Sequence, residues 1–230
     1  MKILHISDWH SRNSETKANL EELKADILID SGDICPHFDQ NWKFGKNKRS
    51  VNKAKEAKAQ REWFEKIKVP FYKSLGIKNI IVIQGNHDFT DFCGIEGITS
   101  LSKSGTIEVA GKKMGILLGA NPTGENLWND EIDEYEFKQR ILSISPDIDI
   151  LISHQPPSQV LDMAYSGERL GSVEIYKAIF GVIGEKEYFT HLKLHAYGHI
   201  HESANTKEIE VDDRKIIFSN ASGWYNVIDI

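Results

Sequence analysis

The sequence predicts an α/β layered domain, and two patterns point to it. Short, continuous apolar runs recur along the chain, each ending in a polar, small-residue cluster; strands covered on both faces read this way. Helix-like segments lie between these runs, and strand followed by helix, repeated, packs as layers.

The elements follow in order. Residues 2–7, 25–29, 79–83, 114–118, 148–152 and 192–197 read as strands. Segments 17–24 and 46–76 read as helices, with Pro70 breaking the second. Segment 131–144 carries Ile132, Tyr135, Phe137, Ile141 and Leu142 at roughly helical spacing and stops before Pro146. Segment 173–183 is another helix. Residues 106–120 read as a hairpin turning at Gly111-Lys112, and Asp212-Asp213 with 215–219 as a second hairpin near the end. There is no internal repeat, linker or domain boundary. Residues 1–230 therefore read as one domain, with a basic helical insertion at about 43–76.

Composition narrows the class. With 40% hydrophobic residues the chain is not of the disordered type. It contains no apolar stretch of about 18 residues, the length a membrane-spanning helix needs. The chain enters a strand at once, so no secretory leader is expected. Its two cysteines, Cys35 and Cys93, make no disulfide framework, so a cytoplasmic location is expected. The net charge of −6 alone argues against polyanion partners. It is uneven, however. Residues 43–68 hold ten basic and three acidic side chains, a net +7 that leaves −13 on the rest. That run reads as a solvated helix face, or as a basic flap steering a phosphorylated or polynucleotide substrate.

In open α/β sheets, ligands sit beyond the carboxyl ends of strands, where the polar clusters fall. Asp8-Trp9-His10 closes the first strand and Asp33 the second. Asn86-His87 closes the third, His154 a later one, and His199 with His201 the last of the set. One Asp or His at a strand end is usually a turn former. Five successive ends carrying such residues are not explained by turns. Asp, Asn and His together suit divalent first-row metals such as Mn, Fe, Ni or Zn. The lack of cysteine ligands argues against a closed structural zinc site.

Asp8-Trp9-His10, Gly32-Asp33, Gly85-Asn86-His87-Asp88, His154 and Gly198-His199-Ile200-His201 resemble, in order, the five blocks of the calcineurin-like metallophosphoesterase superfamily. The resemblance covers residues 8 to 201. It implies an α/β fold of two mixed sheets packed as a sandwich flanked by helices, with a dinuclear site at one sheet edge. One cation would be held by Asp8, His10, Asp33 and His201. The other would be held by Asp33, Asn86, His154 and His199, with Asp33 shared. Mn or Fe is the expected pair, with Ni or Zn as alternatives. A hydroxide bridging the cations would attack phosphorus in line. His87 would protonate the leaving oxygen or steady the transition state. Asp88 is either a turn former or catalytic.

No Arg follows Gly32-Asp33-Ile34-Cys35-Pro36-His37, so the protein Ser/Thr phosphatase pattern is absent. His154-Gln155-Pro156-Pro157 and Ser219-Asn220-Ala221-Ser222 look closer to the small phosphodiesterase branch. The expected activity is hydrolysis of a phosphodiester or phosphomonoester, diester first. The expected partners are phosphate-ester substrates, possible nucleotides or nucleic acids among them, with no membrane; the oligomeric state is open. Two alternatives stand beside this. One is a DNA or RNA nuclease resembling the recombination-repair branch, although little chain after His201 is left for an added DNA-binding region. Here Trp42, Phe44, Lys46, Lys48 and Arg49 would meet the strand. The other is a non-catalytic scaffold resembling the retromer subunit, in which the site is degraded; here every ligand position is filled.

The remaining residues have plainer readings. His5, His191 and His195 read as packed or hydrogen-bonded core, His37 as a surface loop, and Cys35 as a buried inert thiol. Trp9, Trp128 and Trp224 read as packing, the last lying beyond the final strand.

Overall fold

Two sheets face each other, with helices on their outer sides. The computed structural model describes residues 1–10, 20, 22–38, 51–122, 127–181 and 186–230. In chain order the elements are β1 (Lys2–Ile6), β2 (Ile27–Asp30), α1 (Lys53–Trp63), α2 (Val69–Ser74), β3 (Asn79–Val82), β4 (Gly105–Val109), β5 (Lys112–Leu117), α3 (Glu134–Leu142), β6 (Ile150–Ser153), α4 (Val173–Phe180), β7 (Leu194–Tyr197), β8 (Asn205–Val211), β9 (Arg214–Asn220) and β10 (Tyr225–Asp229). One sheet runs β10-β1-β2-β3 and the other β4-β5-β6-β7-β9-β8. Both are mixed. β1, β2 and β3 are parallel with β10 antiparallel at the edge; β5, β6, β7 and β9 are parallel with β4 and β8 antiparallel.

Period-two alternation sorts the apolar residues into layers. Ile3, Ile27, Ile29 and Ile81 turn inward and meet Met114, Ile116, Ile150, Ile152 and Leu194 between the sheets. Their neighbours Leu4, Ile6, Leu28 and Val82 face outward onto Phe64, Phe71 and Tyr72. On the far side Leu117, Leu151 and Phe218 pack on Phe137, Ile141, Ile175 and Ile179 of α3 and α4. This is the sandwich the resemblance implied. Both faces of the central strands are covered, so β2, β6 and β7 are buried along their full length.

The helices start where cap chemistry allows. Asn52, Asp133 and Ser172 each accept a backbone N–H three residues on. Helix α3 thus starts later than the predicted 131, whereas α4 starts at the predicted 173 and stops at Phe180, before Gly181 at φ 69°. Pro70 does not break its helix. A π-turn, Phe64–Lys68, joins α1 to α2, and Val69 N–H bonds back to Phe64 O. The widened turn leaves Pro70 in the first turn of α2, where a missing N–H costs nothing.

Both hairpins form. The sequence missed β10. It pairs antiparallel with β1, so Trp224-Tyr225 precedes a strand instead of following the last one. As an edge strand it buries only Ile228, and a continuous apolar run was never needed. His191 is exposed, not core; it lies in the loop before β7, outside the covered strand. Half of predicted helix 17–24, and residues 43–50 of the basic run with Trp42, lie outside the described residues. No described helix is long and apolar enough to cross a membrane.

Candidate metal centre

The strand ends named from the sequence converge beyond β1, β2, β3, β6 and β7. Four of the residues sit in left-handed backbone: Asp8 at φ 56°, His10 at 42°, Asp33 at 54° and His199 at 72°. Such conformations are sparsely populated for residues other than glycine and cluster at functional sites. Glycines beside them make room. A Cβ on Gly85 would lie 2.1 Å from Asp33 Oδ1, and one on Gly198 would lie 2.1 Å from Asp8 Oδ2.

Asp33 is the centre. Its Oδ1 accepts the backbone N–H of His87 at 2.8 Å. Its Oδ2 is left facing three imidazoles: His154 Nε2 at 3.4 Å, and His10 Nε2 and His87 Nε2 at 3.9 Å each. Burial pushes the Asp33 carboxyl up, but His154 and His87 outweigh it and hold it well below the usual range. Asp8 behaves alike. Its Oδ2 accepts from Ser7 Oγ at 2.6 Å and from His199 N at 2.9 Å. Its Oδ1 is buried without a hydrogen-bond donor and faces His201 Nε2 at 3.3 Å. Burial raises this carboxyl too, and His154 and His201 more than reverse the effect.

The imidazoles respond in kind. His154 is fully buried, and its Nδ1 meets Ser31 O at 2.9 Å. A carbonyl there takes the Nδ1 hydrogen and turns Nε2 inward, 3.2 Å from Asn86 Oδ1. Burial opposes charge on His154, yet Asp33 and Asp8 raise it to about 10. The Asp8 carboxylate beside it raises His201. His199 is lowered to about 4 by burial and by neighbouring His154.

These residues fit divalent cations. Donor atoms of Asp8, His10 and His201 lie within 4.8 Å of one another, as do those of His10, Asp33 and His87, and of Asp33, His154 and His199. The first and third groups share no residue, and the second spans them. Asn86 reaches the third through its amide oxygen. A buried carboxylate oxygen without a donor, as at Asp8, is costly unless a cation meets it.

His87 sits at the rim. Trp128 stacks on its ring with centroids 4.0 Å apart, and His37 Nε2 lies 2.7 Å from its Nδ1. Burial lowers His87, with Asp33 opposing. The structure thus corrects one reading: His37 is half-buried within the site instead of lying on a surface loop. Trp128 packs as expected, buried and against a site residue. Asp88 ties the second and third blocks together, accepting from Ile34 N, Cys35 N at 2.9 Å and Gly85 N at 3.0 Å. Burial and Asp33 raise its carboxyl to about 7. Cys35 is buried as expected, and burial pushes its thiol up. Trp9 is core, its Nε1 donating to Trp224 O at 2.7 Å, whereas the Trp224 ring is exposed. No local sequence signal marks His37 or Trp128, because loops distant in the chain bring them to His87.

Residues 1–203 match the calcineurin-like phosphoesterases. The chain belongs to that family. A UPF0046 protein of Caenorhabditis elegans is 30% identical over 83 residues, covering 33% of this chain. The chain spans only 19% of that relative's length. Phosphopantetheinyl hydrolase of Mycobacterium tuberculosis shares the fold: TM-score 0.51, 14% identity, 99% of this chain and 95% of that one. NAD nucleotidase of Haemophilus influenzae aligns at TM-score 0.46 and 13% identity, over 100% of this chain and 49% of that one. Members of the family depend on metal, and the donor clusters here are of the kind that binds it.

Proposed function

We propose that this chain hydrolyses phosphate esters with two divalent cations, Mn or Fe. One is held by Asp8, His10, Asp33 and His201, the other by Asp33, Asn86, His154 and His199. The observation that carries this is Asp33 Oδ2, anchored through its partner oxygen and facing three inward imidazole nitrogens. A carboxylate so placed is suited to be shared. Two cations there would supply Lewis acidity to the phosphoryl oxygens and a nucleophile at neutral pH.

The chain's own residues divide the remaining work. Ser31 O and Asn86 orient His154. Ser7 and the His199 N–H hold Asp8. His87, beside Asp33 but carried on the rim, gives a proton to the leaving oxygen. Trp128 holds the plane of its ring. The proposed substrates are phosphodiesters first and monoesters second, nucleotides among them. A nuclease is the second reading. Lys55 and Lys58 are exposed on α1, and the same helix contacts the His87 loop through Gln60.

Chelation followed by reloading tests the main reading. Chelated protein is expected to lose hydrolysis of aryl phosphodiesters, and Mn to restore it. Absence of activity on both mono- and diesters in every reloaded sample would overturn it. Cleavage of single-stranded oligonucleotides faster than of small diesters would favour the nuclease.

A further inference from the structure

Helix α1 enters the site from the side that the sequence reads as solvent. Glu56 and Gln60, one turn apart on it, are buried. Gln60 clamps the third block: Nε2 donates to His87 O at 2.9 Å, and Oε1 accepts from Phe89 N at 2.6 Å. Glu56 Oε1 accepts from Phe38 N at 2.7 Å and lies 3.7 Å from His37 Nδ1. His37 Nε2 is 2.7 Å from His87 Nδ1. A buried carboxylate, one imidazole and a second imidazole at the candidate centre therefore stand in a row.

Two neutral imidazoles sharing one hydrogen bond have two arrangements of their hydrogens. A carboxylate beside His37 Nδ1 favours the hydrogen on that nitrogen. His37 Nε2 is then bare and accepts from His87 Nδ1. The other nitrogen of His87, Nε2, is the one 3.9 Å from Asp33 Oδ2.

We propose that Glu56 and His37 are positioning residues that fix the His87 hydrogen on Nδ1, so that the proton passed to substrate is carried on Nε2. This rests on the reading of His87 as leaving-group acid. The proton balance then closes. Charged His87 gives its Nε2 proton to the leaving oxygen, which keeps the electron pair of the breaking P–O bond. His87 is left neutral, its Nδ1 hydrogen still on His37. With the His37 hydrogen on Nε2 instead, that hydrogen would face the Nδ1 hydrogen of charged His87 across 2.7 Å, and the charged donor would lose its acceptor. The arrangement follows the logic by which an acidic residue orients the histidine of a hydrolytic triad.

The first arm of the test needs neither metal nor activity. In ¹⁵N-histidine-labelled, metal-free protein at pH 8, His87 is expected as the Nδ1–H tautomer. In Glu56→Gln it is expected to shift toward Nε2–H. Glutamine keeps an acceptor for Phe38 N–H and removes the charge. An Nε2–H tautomer in the unaltered protein, or no change in Glu56→Gln, would overturn the proposal whatever the enzyme does. The second arm uses metal-loaded protein and esters of graded leaving group. Glu56→Gln and His37→Gln are each expected to lower kcat about 10–100-fold on alkyl leaving groups, with less than about threefold change on nitrophenyl esters, which need no acid. KM should stay level. A uniform loss across leaving groups, or a loss matched by lower thermal stability, would assign both residues a purely structural role and overturn it. If no ester is hydrolysed at all, the broader reading fails, and the tautomer measurement still decides this one.

Discussion

Buried histidines in two regions of this molecule start from the same side chain and end in different charge states. His5 in β1 and His195 in β7 are fully buried. His5 meets Ser219 Oγ at 2.7 Å and Ser31 Oγ at 2.9 Å, and His195 Nε2 meets Ser153 Oγ at 2.8 Å. Their partners are neutral hydroxyls, so burial wins and each is lowered to about 3. His154 is just as buried, but Asp33 and Asp8 face it, and it is raised to about 10. Burial alone does not decide whether an imidazole is charged; the carboxylate beside it does. The neutral pair belongs to the packed strands. At the site, protons stand where cations are proposed to bind, so cation uptake releases protons and weakens as pH falls.

The comparison breaks first at Asp33. Asp33→Asn removes the charge that the site imidazoles share, and activity is expected to fall by about 10³-fold or more. Metal analysis of the purified variant should show lost cation; full metal content with full activity would refute the shared role.

Acid unfolding sharpens the other half. His5 and His195 have folded values of about 3 against an ordinary 6.5, so between these pH values the unfolded chain binds more protons. Their contribution is complete above 6.5 and is lost as pH falls toward 3. Urea unfolding across this range should show a loss of a few kcal/mol, on the order set by the shift, and the slope should flatten in His195→Gln. The metal-free His154 has the opposite sign: its contribution is present below 6.5 and lost as pH rises through about 10.

Gly198→Ala comes next. The new Cβ would sit 2.0 Å from Ser7 Oγ and 2.1 Å from Asp8 Oδ2, both held by hydrogen bonds. Destabilisation of about 1–3 kcal/mol is expected, together with weaker cation uptake, readable by thermal melts with and without Mn. The smallest effect is at His191. It is exposed and lies outside both the packed strands and the site, so His191→Gln should shift stability by less than about 0.5 kcal/mol.

Much of this was legible in the linear sequence, for reasons that differ by element. The continuous apolar runs of β2, β6 and β7 are readable because both faces of those strands are covered. β10 is not, because an edge strand with only Ile228 buried has no such run. Asp8, Asp33 and His154 were readable because each sits at the end of a legible strand. His37 was misread because its role depends on a partner 50 residues away. Glu56 and Gln60 were hidden in a helix whose charged, solvent-facing side dominates its composition. Pro70 marked a real irregularity, and the π-turn just upstream absorbs it.

By itself the sequence determined the layered α/β class, the strand ends that carry donors, and the donor chemistry that suits divalent cations. All three depend on short-range periodicity and on residue type. Only the tertiary structure decided which imidazoles share Asp33, that Asp8 Oδ1 is buried without a donor, and that α1 reaches inward through Glu56 and Gln60. Those depend on loops far apart in the chain meeting at one sheet edge, and on the burial and charge each group finds there.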